Sequence, residues 1–325
     1  MRNRILVTGA CGQLGTELVA ALRERYGWER VIATDVHEAN DARMQNGAYM
    51  KLDVLNVRRL GYVFERMGVS QVYHLAAVLS ASGEQNPEAA WQINMQGLLN
   101  VLEAARAQRV ERIFWPSSIA VFGPDSPRSA CVQQSALDPT TIYGISKTAG
   151  EYWIRWYQKT HGLDIRSIRY PGLISYSAKP GGGTTDYAVD IFHKALADGH
   201  YGCFLKETTI LPMLYMPDAV RGTIELMEAR REQLHVHKSY NLAGMHFSPR
   251  ELVTELKKHL PDLSVSYQPD FRQEIADSWP SGILDLEARR DWGWAPAYDL
   301  PQMVTDMLAH LTNDVQKPVH ETAER

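Results

Sequence analysis

The sequence predicts an α/β protein built around a doubly wound parallel sheet, and two observations lead there. Short runs rich in β-branched and aromatic residues alternate with longer helical patterns, from "RILVTG" at residues 4–9 to "SYNLAG" at residues 239–244. The short runs also lack a polar/apolar alternation, as expected of strands covered by helices on both faces. Strand, helix, strand at this spacing implies parallel strands joined by right-handed crossovers.

Taken in order, "RILVTG" is a strand that leads into a helix from about Gly12 to Tyr26, and "RVIATD" is a strand ending at Asp35. "AYMKLDV" precedes a helical run near Val57–Met67, and "QVYHLAA" precedes a long helix near Pro87–Gln108. "ERIFWPSS", a helix carrying Tyr143 through about Lys159, "LDIRSIRYP" and "SYNLAG" complete the series. After Pro171 the rhythm breaks. "SAKPGGGTTDYAVD" reads as a Gly/Pro-rich loop, "RELVTELKKHL" as an amphipathic helix, and "DSWPSG" and "DWGWAPAYDL" as Trp- and Pro-rich segments of a smaller lobe interleaved with the last strands. The closing "TNDVQKPVHETAER" is polar and expected to fray.

Composition excludes several classes of function. The chain has 325 residues, 45% hydrophobic and 22% charged, with 34 Lys+Arg against 38 Asp+Glu and a net charge of −4. No basic run marks a nucleic-acid partner, and no apolar stretch approaches the roughly 20 residues that span a bilayer. "MRNRILVTGACG" runs directly into the first strand, leaving no room there for a cleavable signal. Cys11, Cys131 and Cys203 are scattered without C-x-x-C spacing, which argues for a reducing compartment and against disulfides or a zinc site. The expectation is a soluble cytoplasmic protein without a metal.

"LVTGACGQLGTEL" sets Gly9, Gly12 and Gly15, with Gln13 and Leu14 between, at the junction of the first strand and its helix. A tight turn, a close approach of pyrophosphate and a helix–strand contact each favour a residue without Cβ, and the helix N-terminus offers free N–H groups to phosphate. This strand–turn–helix setting predicts dinucleotide binding on a Rossmann-type sheet. Asp35 stands where a carboxylate accepts both adenosine ribose hydroxyls, the alternative being an Asp that merely starts a turn. No Arg follows it in "VHEAN" to meet a 2′-phosphate, so NAD is favoured over NADP. Asp53, beside Val54, is placed either to approach the adenine or simply to start a turn. Leu75, Ala76 and Ala77 bring the fourth strand's end to the cofactor path, and His74 is expected in the core rather than as a ligand.

Ser117 and Ser118 end the fifth strand, and "IYGISK" puts Tyr143 and Lys147 one helical turn apart. With the glycine turn, these residues resemble the short-chain dehydrogenase/reductase superfamily in its extended, epimerase-like branch. The resemblance implies oxidation or reduction of a secondary alcohol with a nicotinamide cofactor. A free tyrosine, with a pKa of about 10, is a poor base; the Lys147 charge and an oxidised nicotinamide are both expected to favour its phenolate. Ser118 would hold the substrate oxygen, and Lys147 would also bind the nicotinamide ribose.

Sugar-nucleotide epimerases of this branch typically read R-Y-F-N at Tyr170, whereas this chain reads "RYPGLIS" and lacks an obvious arginine pair for a second diphosphate. A small substrate is favoured. "RYPGLIS", "GGGTTDYAVDIF", "LPMLYMPDAV", "YNLAGMHFSPREL" and "PDFRQEIADSWP" resemble the short-chain-type L-threonine 3-dehydrogenases over nearly the whole chain. That resemblance implies NAD-dependent oxidation of the L-threonine β-hydroxyl to 2-amino-3-oxobutanoate, with Tyr143 as base, Lys147 as its electrostatic partner and Ser118 positioning oxygen. It places Ser80, Thr184 and Thr185 on the substrate side and the cofactor on Gly9, Gly12, Gln13, Leu14, Gly15, Asp35, Asp53, Val54, Leu75, Ala76, Ala77, Tyr143, Lys147 and Tyr170. Alternatively, Ser80 caps a turn and the threonines cap a helix beginning near Asp186, a role compatible with contacting substrate. Gly181–Gly183 suits the hinge of a closing loop, and Trp279 either a pocket wall or the core.

The implied division is a NAD-binding domain of residues 1–171 plus about 206–243, a substrate lobe of about 172–205 plus 244–313, and a polar tail of 314–325. The resemblance also implies a homodimer formed by the Pro87–Gln108 and Tyr143–Lys159 helices, for which "EYWIRWYQ" supplies aromatic surface. The competing readings are a nucleotide-sugar epimerase or dehydratase of the same superfamily and a catalytically silent NAD-binding protein.

Overall fold

In the computed structural model, residues 3–39, 44, 46–177 and 181–315 are described. The main sheet is entirely parallel. Its strands are β1 (Arg4–Thr8), β2 (Val31–Asp35), β3 (Tyr49–Lys51), β4 (Val69–His74), β5 (Arg112–Ser118), β6 (Ile165–Tyr170) and, at one edge, Tyr240–Asn241. In space the order is Tyr240–Asn241, β6, β5, β4, β1, β2, β3. The order therefore reverses between β1 and β4, the switch point where an open α/β sheet leaves a crevice at its carboxyl ends.

Both faces are covered. Ile5 and Val7 of β1 pack toward one side, with Leu18, Val19 and Leu22 of α1 (Gln13–Tyr26). Leu6 packs toward the other, with Leu60, Val63 and Phe64 of α2 (Val57–Met67). Both-sided burial of successive residues explains the unbroken apolar runs. Asn56 caps α2 by accepting from Arg59 N–H at 3.0 Å, and Gly68, at φ +62°, ends it.

A short helix α3 (Ser80–Gln85) follows β4. The helix expected near Pro87–Gln108 runs without a gap as α4 (Pro87–Trp91), a π turn (Gln92–Gln96) and α5 (Gly97–Ala107), the π turn being the feature not expected. At the π turn the Asn94 side chain leaves the helix, accepting from Val78 N–H at 2.8 Å and donating to Val78 O at 3.1 Å. Helix α6 (Ile142–His161) begins where Thr141 Oγ1 accepts from Gly144 N–H at 3.0 Å and ends at Gly162, φ +71°. A buried ion pair fixes α6 to the sheet: Glu151 and Arg169 of β6 meet at 2.8 Å, with side chains 0% and 2% exposed. Ser117 Oγ donates to the same carboxylate at 2.7 Å, and Arg169 donates to Asn241 Oδ1 at 3.1 Å.

Strand β7 (Gly172–Ile174) follows β6 after Pro171. A Cβ on Gly172 would lie 2.4 Å from Met213 S and 2.7 Å from the Thr185 side chain, so "RYPG" is where two segments crowd the chain. Next come α7 (Tyr187–Asp198), β8 (His200–Cys203), β9 (Leu211–Tyr215) and α8 (Met216–Glu228). Counting the sheet-edge strand as β10 (Tyr240–Asn241), there follow β11 (Met245–Phe247), α9 (Pro249–Leu256), β12 (Ser264–Tyr267), α10 (Arg272–Ser278), α11 (Leu286–Trp292) and α12 (Leu300–Val315). β9 pairs parallel with β7 and antiparallel with β11, while β8 and β12 form a two-stranded parallel sheet. Their apolar faces join α7, α9, α10 and α12 in a core of their own, including Phe192, Leu252, Ile275 and Met307. Helix α12 runs through Val315, past the expected start of the tail, and residues 316–325 lie outside the described residues. No helix among the described residues is long and apolar enough to cross a membrane.

Candidate active site

A cavity of about 830 Å³ opens at the carboxyl ends of β1, β4 and β5 and runs from Asp35 to Trp279. It is lined by every residue singled out above as a cofactor, substrate or catalytic candidate, which the chain brings together from eight separate segments of sequence.

At one end the β1–α1 turn fits a dinucleotide. Gly9 adopts φ +69°, and a Cβ there would lie 2.5 Å from Ala76 N; on Gly15 it would lie 2.3 Å from Gly9 O. Gly12 faces open space, with only Gly9 O at 3.4 Å. The first two glycines are therefore packing requirements, while Gly12 leaves room for a ligand. Helix α1 has no side-chain cap, so its first N–H groups remain for a phosphate, and Gln13 Nε2 is buried without a partner. Asp35 is held from both sides, accepting from Cys11 N–H at 2.9 Å and His37 N–H at 3.1 Å. Its fixed carboxylate is poised for ribose hydroxyls. Asp53 accepts from Leu55 N–H at 2.8 Å, so it starts a turn and lines the cavity as well. No arginine lies among the described lining residues.

In the middle stand Ser118, Tyr143 and Lys147. Ser118 ends β5 and Tyr143 opens α6, so the sheet edge and the helix start converge. The Lys147 ammonium donates to Pro116 O at 2.6 Å and lies 4.6 Å from the Trp115 ring centroid and 5.5 Å from that of Tyr143. Burial pulls the lysine down to about 7. Burial likewise pushes the Tyr143 phenol up to about 12, opposed by a hydrogen bond with Ser118. The expected lowering of Tyr143 thus does not arise from the protein's own groups. Removing a charge from water costs more here than the Ser118 hydrogen bond returns.

At the far end, Ser80 Oγ and Thr184 Oγ1 share a hydrogen bond of 3.1 Å, and Thr184 N–H points to Ser80 Oγ at 3.3 Å. Ser80 is therefore engaged with the glycine loop while opening α3. The N-cap of α7 falls on Asp186 rather than on either threonine. The Asp186 carboxylate turns back to accept from Gly182 N–H at 2.8 Å and Gly183 N–H at 2.7 Å, and burial raises its pKa. Gly182 has φ +88° and its carbonyl accepts from Ser82 N–H at 3.3 Å, which latches the loop to α3. Trp279 satisfies both of its readings: it is 4% exposed, packs in the core of the smaller lobe and lines the cavity.

Sequence reasoning missed Asp186 and Asn94. The first carried a signal, an acid directly after "GGGTT"; the second had only an amide in an otherwise good helix pattern. Besides holding Val78, Asn94 donates to Ser146 Oγ at 3.2 Å, tying the loop before α3 to the helix of Tyr143 and Lys147. Among the described residues no cluster of His, Cys, Asp and Glu is arranged to hold a metal.

The pattern of the NAD dependent epimerase/dehydratase family matches residues 5–243. The chain is similar to a mitochondrial L-threonine 3-dehydrogenase of Bos taurus, 44% identical over 308 residues covering 94% of this chain and 82% of that one. It is also similar to the solved structure of a GalE-like L-threonine dehydrogenase from Cupriavidus necator, with 53% identity, a TM-score of 0.92, and coverage of 95% and 99% of the two chains. A monomeric L-threonine 3-dehydrogenase from a metagenome shares 47% identity at a TM-score of 0.92, again covering 95% and 99%.

Proposed function

The chain belongs to the NAD dependent epimerase/dehydratase family, and on that premise we propose that it oxidises the 3-hydroxyl of L-threonine with NAD, giving 2-amino-3-oxobutanoate. One observation carries the choice of substrate. Beyond Ser118 and Tyr143 the cavity offers hydroxyls, loop amides and the buried Asp186 carboxylate, with no arginine among its described lining residues. That inventory suits a small zwitterion, whose ammonium needs an acceptor and whose carboxylate needs donors, and it does not suit a second diphosphate. The similarity to proteins named as L-threonine 3-dehydrogenases supports the same reading.

Gly9, Gly12, Gln13, Leu14 and Gly15 would hold the cofactor's pyrophosphate and Asp35 its adenosine ribose. Asp53 and Val54 would flank the adenine, and Leu75, Ala76, Ala77 and Tyr170 would border the path inward. When bound, NAD supplies the acceptor for the hydride leaving C3. The chain's own residues handle the proton and the geometry. Ser118 hydrogen-bonds the substrate oxygen, and Tyr143 takes the hydroxyl proton as the C–H bond breaks. Lys147 stabilises the phenolate by its charge and binds the nicotinamide ribose. Asp186 accepts the ammonium, while Ser80, Thr184 and Thr185 address the carboxylate side. Gly181–Gly183 is the hinge by which this loop closes over substrate; hydrogen exchange that NAD and threonine leave unchanged across residues 181–186 would count against it.

The product, a β-keto acid, is prone to lose CO₂ to aminoacetone or to be cleaved to glycine, so the enzyme serves threonine catabolism, in the cytoplasm. Residues 1–171 plus about 206–243 form the NAD-binding domain and about 172–205 plus 244–313 the substrate lobe. Exposed Trp91 of α4 and Tyr152, Trp153 and Trp156 of α6 form the apolar face of a homodimer; a single species of monomer mass in sedimentation at micromolar concentration would refute it.

NADH formation by the purified protein with NAD and L-threonine tests the main reading, beside parallel reactions with L-serine, L-allo-threonine, UDP-galactose and NADP. Rapid, threonine-selective NADH production is expected. No NADH with threonine, together with conversion of the UDP-sugar, would replace it with nucleotide-sugar chemistry.

A further inference from the structure

His74 is buried and outside the cavity lining, yet it sits directly behind the proton-handling pair. It ends β4 in register with Thr8 of β1, and its Nδ1 lies 2.8 Å from Thr8 Oγ1. On its other flank, β5 pairs Tyr73 with Phe114, which sets His74 level with Trp115. Because the two ring nitrogens point to opposite edges of an imidazole, Nδ1 on β1's side turns Nε2 toward β5. There the Lys147 ammonium lies over the Trp115 ring at 4.6 Å. His74 Nε2 has no hydrogen-bond partner among the described residues, although the side chain is 1% exposed.

We propose that His74 is a positioning residue for the Tyr143–Lys147 pair: its neutral ring gives the Nδ1 proton to Thr8 and turns the Nε2 lone pair toward Lys147, which keeps that ammonium charged. The proposal rests on reading Lys147 as the electrostatic partner of Tyr143. A buried polar atom left unpaired is costly, and here the lone pair meets a group that needs an acceptor. The alternative tautomer would aim an N–H at a cation. Burial and then the Lys147 charge lower the imidazole to about 3, so it stays neutral wherever the enzyme works.

Other charged or titrating groups share this region. Tyr143 lies on its own helix, Glu151 one turn further on is engaged by Arg169 of β6, and Cys11, Asp35, His37, Asp53, Tyr170 and Asp186 line the same cavity. The π turn presents Asn94, which is neutral and already bonded to Val78 and Ser146. The lone pair of His74 therefore acts on the ammonium from the sheet through its field and without a direct hydrogen bond, while the Pro116 carbonyl takes the bond at 2.6 Å.

The test is made on the protein without cofactor, by following the ε-methylene NMR signal of Lys147, assigned by its loss in Lys147→Met. The wild-type midpoint is expected near 7. In His74→Leu it should fall by about one pH unit, and His74→Gln, which restores an acceptor, should recover most of the shift. The acid limb of kcat/KM should move in parallel, with the KM for NAD unchanged. An unchanged midpoint in a folded His74→Leu variant overturns the proposal, even if NADH forms normally from threonine. Should that variant fail to fold, ¹⁵N spectra of the wild-type imidazole decide: the Nδ1–H tautomer upholds the proposal and the Nε2–H tautomer overturns it. Because the midpoint and the tautomer are read without substrate, failure of the threonine reading leaves this test standing.

Discussion

Ser80 Oγ and Thr184 Oγ1 lie 3.1 Å apart, both buried at the far end of the cavity, although 104 positions separate them in the chain. The contact joins the first residue of α3 to the glycine loop, and Thr184 N–H reinforces it at 3.3 Å. Losing either hydroxyl should loosen the loop and remove a substrate donor. Ser80→Ala and Thr184→Ala should each raise the KM for L-threonine about tenfold, the equivalent of about 1.4 kcal/mol. Because the two act through one contact, the double variant should cost less than the sum. Steady-state rates of the four proteins decide; strict additivity would show that the residues act separately.

Tyr143→Phe removes one oxygen and leaves the ring's packing in place. The turnover number should drop about 10²–10⁴-fold. Calorimetric NAD affinity should change little, since the proposed cofactor site rests mainly on the glycine turn and Asp35. Retention of substantial activity would end the assignment of Tyr143 as base.

The pH dependence follows from the coupled pair. Burial sets Lys147 at about 7 and Tyr143 at about 12. The active arrangement, charged lysine with phenolate, holds the same number of protons as neutral lysine with phenol. The pair therefore reaches its one-proton state as pH rises through about 7 and stays there until about 12. Log(kcat/KM) should climb with unit slope below about 7 and be level above it. A profile flat from pH 5.5 to 9 would contradict this.

Asp35 should govern the choice of dinucleotide. With both its oxygens fixed by Cys11 and His37 N–H groups, it offers two acceptors and repels a 2′-phosphate. Asp35→Ala should weaken NAD by about 10–100-fold, the loss of hydrogen bonds to a charged group. NADP should weaken far less, which competition binding would show directly.

The Glu151–Arg169 pair is a structural device rather than a chemical one. Glu151→Ala leaves the guanidinium of Arg169 buried with its main partner gone. The expected loss is about 3–5 kcal/mol of stability, read as a lower urea midpoint. Replacing both residues with apolar ones should recover part of it. A single substitution without effect on the midpoint would show that water reaches the site.

How much was legible in the sequence varied with the range of the interaction. The parallel sheet, the Asp35 terminus and the Tyr143 helix were all legible, because apolar runs, glycine spacing and an i, i+4 pair are local patterns. Gly9 shows how far that goes: its need for φ +69° belongs to the turn itself, while the Ala76 backbone that forbids a Cβ comes from another strand. The π turn inside the Pro87–Gln108 helix was illegible, because Asn94 bonds to Val78, sixteen positions away, and no helix pattern encodes that partner. Asp186 reads only as the start of a helix until the fold turns its carboxylate back onto the Gly182 and Gly183 N–H groups at the cavity. His74 reads as a core residue, and only the registers of β1, β4 and β5 turn its free nitrogen toward Lys147.

The sequence by itself determined most element types, the glycine turn and the presence of Ser118, Tyr143 and Lys147 at strand end and helix start, since each is written in neighbours along the chain. Only the tertiary structure decided which groups share the cavity, which hydroxyls are spent on one another, and how far burial moves Tyr143 and Lys147 from their ordinary values. Desolvation and long-range contact depend on what the rest of the chain places around a residue, and local sequence does not carry that information.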